Sequence, residues 1–298
     1  LSLVIVTPAL AGPYDLGTVA VRAALRVDPR TAAVSVVSDP IPTILQGIPL
    51  DIRSLTIAID RPGFTRNPTS CDPSAVGAEA ISPTGSVAAL SSRFQLSGCG
   101  RLGFEPKLQL ALRGATGRSG HPALKATLTF PRKGSFANIQ RAQVGLPHSL
   151  FLDQGNIGAV CTQARLQSRS CPPASIYGRA KAWTPLLEKP LEGPVYLGVG
   201  YGHKLPDLVA DLDGQIRILL NGRIDTTRRE GLRTTFETVP DAPVSRFVLE
   251  LKGGKKFGLV ENSANLCARP QRAAVAFSAH NGRSLRQLPA IRRRCGKR

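Results

Sequence analysis

The chain has no methionine, one tryptophan, four tyrosines and four histidines among its 298 residues. With aromatics at only 5%, its cores must be built from small and branched aliphatic side chains, which suits thin β layers better than wide aromatic pockets. The lack of methionine also leaves no initiator residue, as expected of a processed chain or a piece of a longer one. No stretch approaches the roughly 18 to 20 apolar residues of a membrane-spanning helix. There is no CxxC pair of the zinc-site kind, and no GxSxG elbow, P-loop, HExxH, GxGxxG after a strand or EF-hand loop. The expectation is a protein that is not an enzyme, with no catalytic residues, no metal and no small-molecule cofactor.

What is present points to a folded, basic protein. Hydrophobic residues make up 42% of the chain and mean hydropathy is −0.03, too apolar for a disordered polymer. Formal net charge is +19 with a pI near 10.6, which attracts polyanions at long range in a salt-dependent way. The basic residues are dispersed, with the densest cluster in the tail: Arg283, Arg286, Arg292, Arg293, Arg294, Lys297 and Arg298. Residues 1–11 resemble a signal-peptide core without its basic leader. A strand is the better reading, since Leu3, Val4, Ile5 and Val6 form a short apolar run that ends in a Pro/Gly turn.

The six cysteines are even in number, which favours disulfides and an oxidising compartment. Cys71 to Cys99 and Cys267 to Cys295 are each separated by 28 positions. Ahead of Cys71, Cys161 and Cys267 stand Arg53, Arg141 and Arg246, each followed after 10 or 11 positions by Phe64, Phe151 and Phe257. Asn67, Asn156 and Asn262 lie just before the cysteines. The outer copies also run in parallel upstream: Val19, Val21, Val27 and Asp28 match Ile216, Ile218, Ile224 and Asp225, and Leu3-Val4 matches Leu208-Val209. Self-similarity at this period marks tandem copies of one unit. It implies local pairing, Cys71–Cys99, Cys161–Cys171 and Cys267–Cys295, among the 15 pairings that six cysteines allow.

Short apolar runs separated by Gly, Pro, Asn and Asp read as strands at 18–27, 33–37, 55–59, 108–112, 124–130, 215–220, 232–237 and 246–251. Strict alternation at Leu108, Leu110 and Leu112 sets apolar side chains on one face of an antiparallel sheet. The expected fold is all-β, a tandem array of three related β-sandwich (Ig-like) domains over residues 1–100, 101–203 and 204–298, with one disulfide each.

The segments DPIPTILQGIPL (39–50), LPHSLFLDQ (146–154), PLEGPVYL (190–197) and VPDAPVSRF (239–247) resemble those of large secreted β-domain repeat proteins of high-GC actinobacteria. The resemblance implies an extracellular location and a longer array, and it carries no site residues with it.

Candidate chemistry is sparse. His148, Ser149 and Asp153 are close enough in sequence to meet as a triad, although turn roles explain them equally well. Asp207, Asp211 and Asp213, with Asp225 or Glu192, offer calcium-type oxygens, against which stand the apolar residues between them and the positive charge. Tyr177, Tyr196, Tyr201 and Trp183 make a thin sugar-stacking set, and core packing is the default for Trp183. The leading expectation is a structural or adhesive cell-surface protein, a stalk or filament subunit, that self-associates or joins neighbouring domains, with strand exchange through Leu3, Val4, Ile5 and Val6. The alternative is a module binding anionic cell-surface polymers or nucleic acid through the arginine clusters.

Overall fold

A computed structural model describes all residues except 51, 53, 59–65, 132–133, 201, 229–230 and 296–298. Arg53, Ile59, Phe64, Tyr201, Lys297 and Arg298 therefore lie outside the described residues. The fold is nearly all-β with three disulfides, Cys71–Cys99, Cys161–Cys171 and Cys267–Cys295, and the chain divides into two compact units, Leu1–Asn67 and Pro68–Arg298.

In the first unit, β1 (Ser2–Ala11) turns through Gly12, whose φ of 60° suits a residue without a Cβ, into β2 (Tyr14–Val27). A second turn, in which Asp28 accepts from the backbone N–H groups of Arg30 and Thr31, leads to β3 (Val34–Ser38). These strands form one antiparallel sheet, β1-β2-β3, and a small ribbon of β4 (Ile44–Leu45) and β5 (Ile48–Pro49) follows. Residues 54–58 form no strand and are exposed, contrary to the strand expected at 55–59.

The second unit opens with a hairpin of β6 (Ser74–Ile81) and β7 (Val87–Phe94), spanned by the Cys71–Cys99 bond. The remaining strands are β8 (Lys107–Arg113), β9 (Ala123–Thr129), β10 (Ile139–Gly145), β11 (Leu150–Leu152), β12 (Ile176–Trp183), β13 (Leu191–Gly198), β14 (Asp207–Leu212), β15 (Ile218–Thr226), β16 (Leu232–Phe236), β17 (Arg246–Leu251), β18 (Val260–Asn262), β19 (Ala274–Ala279), β20 (Ser284–Gln287) and β21 (Ile291–Arg292). Twelve of them make a single curled sheet in the order β20-β19-β10-β16-β15-β14-β13-β12-β17-β9-β8-β21. Its edges meet, because the chain steps from β20 to β21 through residues 288–290, and Gln287 donates to the carbonyl of Pro106 at 2.6 Å beside β8.

The inner face carries the core: Leu108, Leu110 and Leu112 of β8, Leu124 of β9, Ala180 and Ala182 of β12, Leu249 and Leu251 of β17, Val275 and Phe277 of β19, and Ile291 of β21. Each large side chain of this kind contributes about 1.5–3 kcal/mol when fully buried. Strand β14 is buried on both faces, since Arg217 bonds Asp211 on its outer side and also reaches the carbonyl of Leu166 in α1 (Gln163–Gln167), within the Cys161–Cys171 loop.

This sheet corrects the expectation of three tandem sandwiches. The repeat is real, but its strands are exchanged. β10 and β17, the strands led by Arg141 and Arg246, occupy equivalent places; β10 pairs with β16 and β19, and β17 pairs with β9 and β12. Each therefore finds both neighbours in the other copy. Matching β8, β9, β10, β12 and β13 to β15, β16, β17, β19 and β20 converts five strands of one half of the sheet into five of the other; β14, antiparallel to β15, and β21, parallel to β8, fall outside the match. β11 and β18 pair with each other, Phe151 opposite Glu261. Volumes compensate at the equivalent positions: small Ala142 lies between Phe236 and Phe277, and large Phe247 lies between Leu128 and Ala182. A boundary at 203/204 would cut through a continuous sheet.

Close backbone approach explains two glycines. A Cβ on Gly178 would collide with the carbonyl oxygen of Glu250, and one on Gly193 with that of Asp211. Gly193→Ala is expected to destabilise the second unit by about 2 kcal/mol or more, measured by denaturant unfolding, because backbone must shift to admit the methyl group.

Candidate functional site

The outer face of β21, β8, β9, β17 and β12 is basic. Alternation opposite the core residues directs Arg292, Lys107, Arg113, Lys125, Arg179, Lys181 and Arg246 outward, with Glu192 and Glu250 the carboxylates on the same face. Lys125 pairs with Glu250 at 2.6 Å and Lys181 with Glu192 at 2.8 Å; both are exposed enough for solvent to screen them heavily. Glu192 is held below the usual carboxylate range by its hydrogen bond from Lys181. Trp183 lies on this face, 5.1 Å from the Arg246 guanidinium and 5.4 Å from the Lys181 ammonium, measured to the ring. It is not a core residue, contrary to expectation: the parity of β12 turns Ala180 and Ala182 inward and Trp183 outward. Tyr177 is the buried aromatic, its hydroxyl donating to the carbonyl of Asn156 and accepting from Gly158 N–H.

Arg283 donates to the carbonyl of Gly100 and Arg293 to that of Arg269, so both tie loops together. Arg286 lies on β20 and Arg292 on β21, and of the described tail residues Arg292 lies on one of the strands of the basic face described above. Leu3, Val4, Ile5 and Val6 lie in β1, each in register with β2.

The suggested triad is not assembled. His148 bonds the carbonyl of Arg228, Ser149 donates to Gln271 at 2.6 Å, and Asp153 bonds His121 at 2.8 Å. Nor do the aspartates converge: Asp207 takes His203 and Asn221, Asp211 takes Arg217, Asp213 takes Arg169 and Asp225 takes Arg233. Each bonded to its own partner, they offer no shared oxygen cage among the described residues.

Sequence reasoning missed one cluster. His121 Nε2 lies 2.8 Å from Asp153 and 3.8 Å from Glu261, and the three ligand-type atoms fall within 4.8 Å of one another. These residues could supply three ligands to a divalent cation, but the imidazole already bonds Asp153, and a metal would have to replace that contact. Only the β11–β18 pairing brings Asp153 and Glu261 together, so spacing carried no signal. Two open depressions lie along Arg113, Lys125 and Arg179, and along Arg113, His121 and Gly253.

A second unforeseen network is centred on Asp241, which accepts from Thr69 N–H and hydroxyl, Ser70 N–H and Asn138 Nδ2, with His280 at 3.9 Å. It joins stretches assigned by sequence to three separate domains. Burial raises the Asp241 pKa, but hydrogen bonds from Thr69, Asn138 and Ser70 outweigh it and leave the group below its ordinary value. In comparisons with family models, curated proteins and solved structures, nothing matches this chain.

Because Asp241 takes up its proton at lower pH in the folded state than in the unfolded state, its contribution is complete above the ordinary aspartate pKa and is lost as pH falls through the folded one. Thermal unfolding should show the wild-type midpoint falling on acidification below about pH 4, and a shallower fall for Asp241→Asn. At neutral pH, Asp241→Ala should cost about 2–3 kcal/mol through donors left unpaired.

Proposed function

We propose that this chain is a non-enzymatic extracellular structural protein, a stalk or filament subunit whose repeats assemble by exchanging strands. The observation that carries the reading is the reciprocal placement of β10 and β17, each completed by the other copy. A unit that builds its sheet from a neighbour's strands is suited to arrays, because backbone ladders provide the adhesion and alternating side chains the register. Three disulfides suit an oxidising compartment, as does the resemblance to secreted repeat proteins. The scattered pairing of histidines and aspartates supports a non-catalytic role.

Electron microscopy and light scattering of the purified chain test this. Defined oligomers, filaments or lattices that grow with concentration are expected; a strict monomer across the accessible range overturns it.

The basic outer face of β8, β9, β17 and β12 supports a second role, retention on an anionic cell-surface polymer, with nucleic acid as another polyanion it would hold. Binding to immobilised heparin should then fall steeply between low and physiological salt. Replacing Lys125, Arg179 and Lys181 by Gln should weaken retention by about tenfold or more without changing thermal stability appreciably. Wild-type elution at low ionic strength removes this role.

A further inference from the structure

The first unit contains the receiving edge and the donor strand of an exchange that it does not complete. In the second unit, β14, β15 and β16 lie side by side, and β16 takes β10 on its far edge. The repeat equates β1, β2 and β3 with β14, β15 and β16: Val27 corresponds to Ile224, and through the ladders Val34 and Val36 correspond to Thr234 and Phe236. β3, unlike β16, is an edge strand with no neighbour on its far side among the described residues.

The donor is equally recognisable. Arg53 heads the copy equivalent to β10 and β17, and the alternating apolar residues that follow are Leu55 and Ile57. Neither is in a strand, and they are 61% and 54% exposed; Val34 and Val36 on the open edge are 62% and 54% exposed. The edge carries none of the usual guards, since VSVVS has no lysine, proline or bulge. The hairpin β6–β7 repeats the pattern: it corresponds to β19–β20 inside an equal disulfide loop of 28 positions, and it lacks the partner that β10 provides to β19.

We propose that two copies of this chain exchange the strand around Leu55 and Ile57, each laying it antiparallel against β3 of the other, with Leu55 opposite Val36 and Ile57 opposite Val34. The register is that of Ala142 on Phe236 and Val144 on Thr234. Apolar phase sets it, and it shifts the donor by one residue relative to an alignment made on Arg53. The occupant is a second copy because the exchange within the second unit is reciprocal, each of two repeats of one chain completing the other, and the first unit of a second copy offers the same edge and the same strand for reciprocal completion. The inference deepens the assembly reading given above and rests on it.

The test uses full-length chains with the native disulfides intact. Val36→Cys and Leu55→Cys variants are mixed and oxidised, and products are resolved by non-reducing electrophoresis and mass spectrometry. A heterodimer linked between residues 36 and 55 is expected. A mixture of Val37→Cys and Leu55→Cys, with residue 37 on the opposite face of β3, should give at least tenfold less. In parallel, Leu55→Asp with Ile57→Asp should turn assemblies into monomers by light scattering while the thermal transition of the second unit stays unchanged. Assemblies that persist without the 36–55 link overturn the exchange but leave the structural role standing. A wild-type chain that never associates overturns both.

Discussion

The second unit depends on a backbone ladder that crosses between repeats. β9 pairs with β17 and β16 pairs with β10, so neither repeat can complete its hydrogen bonds without the other, and an unpaired buried backbone group is costly enough to hold the two together. The rest follows from that constraint. Five strands of one half, β20-β19-β10-β16-β15, repeat the order β13-β12-β17-β9-β8 of the other, and residues 288–290 carry the chain from one edge strand to the other. β11 and β18 meet where the two copies cross, and their pairing places Asp153 beside Glu261 and His121.

Side chains at the crossing reinforce the exchange. Asn156 donates to the carbonyl of Gly258, and Asn262 donates to the carbonyls of Ala115 and Gly117, so the repeated asparagine of each copy secures backbone in the other. Two of the repeated arginines face outward: Arg141 binds Glu237, and Arg246 stacks on Trp183. Phe151 and Phe257 are surface residues, Phe257 lying under Lys252 and Lys256. What the repeat preserves is therefore partly the contact between copies and not only the interior of each one.

Charge and assembly are compatible on this framework because they use different surfaces. The apolar side chains that need a partner lie on strand edges and on the sheet of the first unit, whereas the cations crowd the solvent face of β8, β9, β17 and β12. In the proposed assembly, a strongly positive surface would discourage indiscriminate association and favour register-matched strand pairing.

Period-two alternation made most of the strands legible, including Leu108, Leu110 and Leu112 facing inward, and the repeat pointed to the cysteine pairs found in the structure. The triad and the aspartate set, minor candidates beside turn roles, rested on proximity in sequence, which is not proximity in space; His148, Ser149 and Asp153 each found a partner far along the chain. Trp183 was misjudged because its inward or outward direction depends on strand register, which hydrophobicity alone does not give. By itself the sequence determined the β class, the repeat, the positive charge and the local disulfides, all consequences of composition and short-range pattern. Only the tertiary structure decided which copy each strand pairs with, because identical backbone groups on related strands offer equivalent ladders and the choice between them is made by side-chain volumes meeting across the whole sheet.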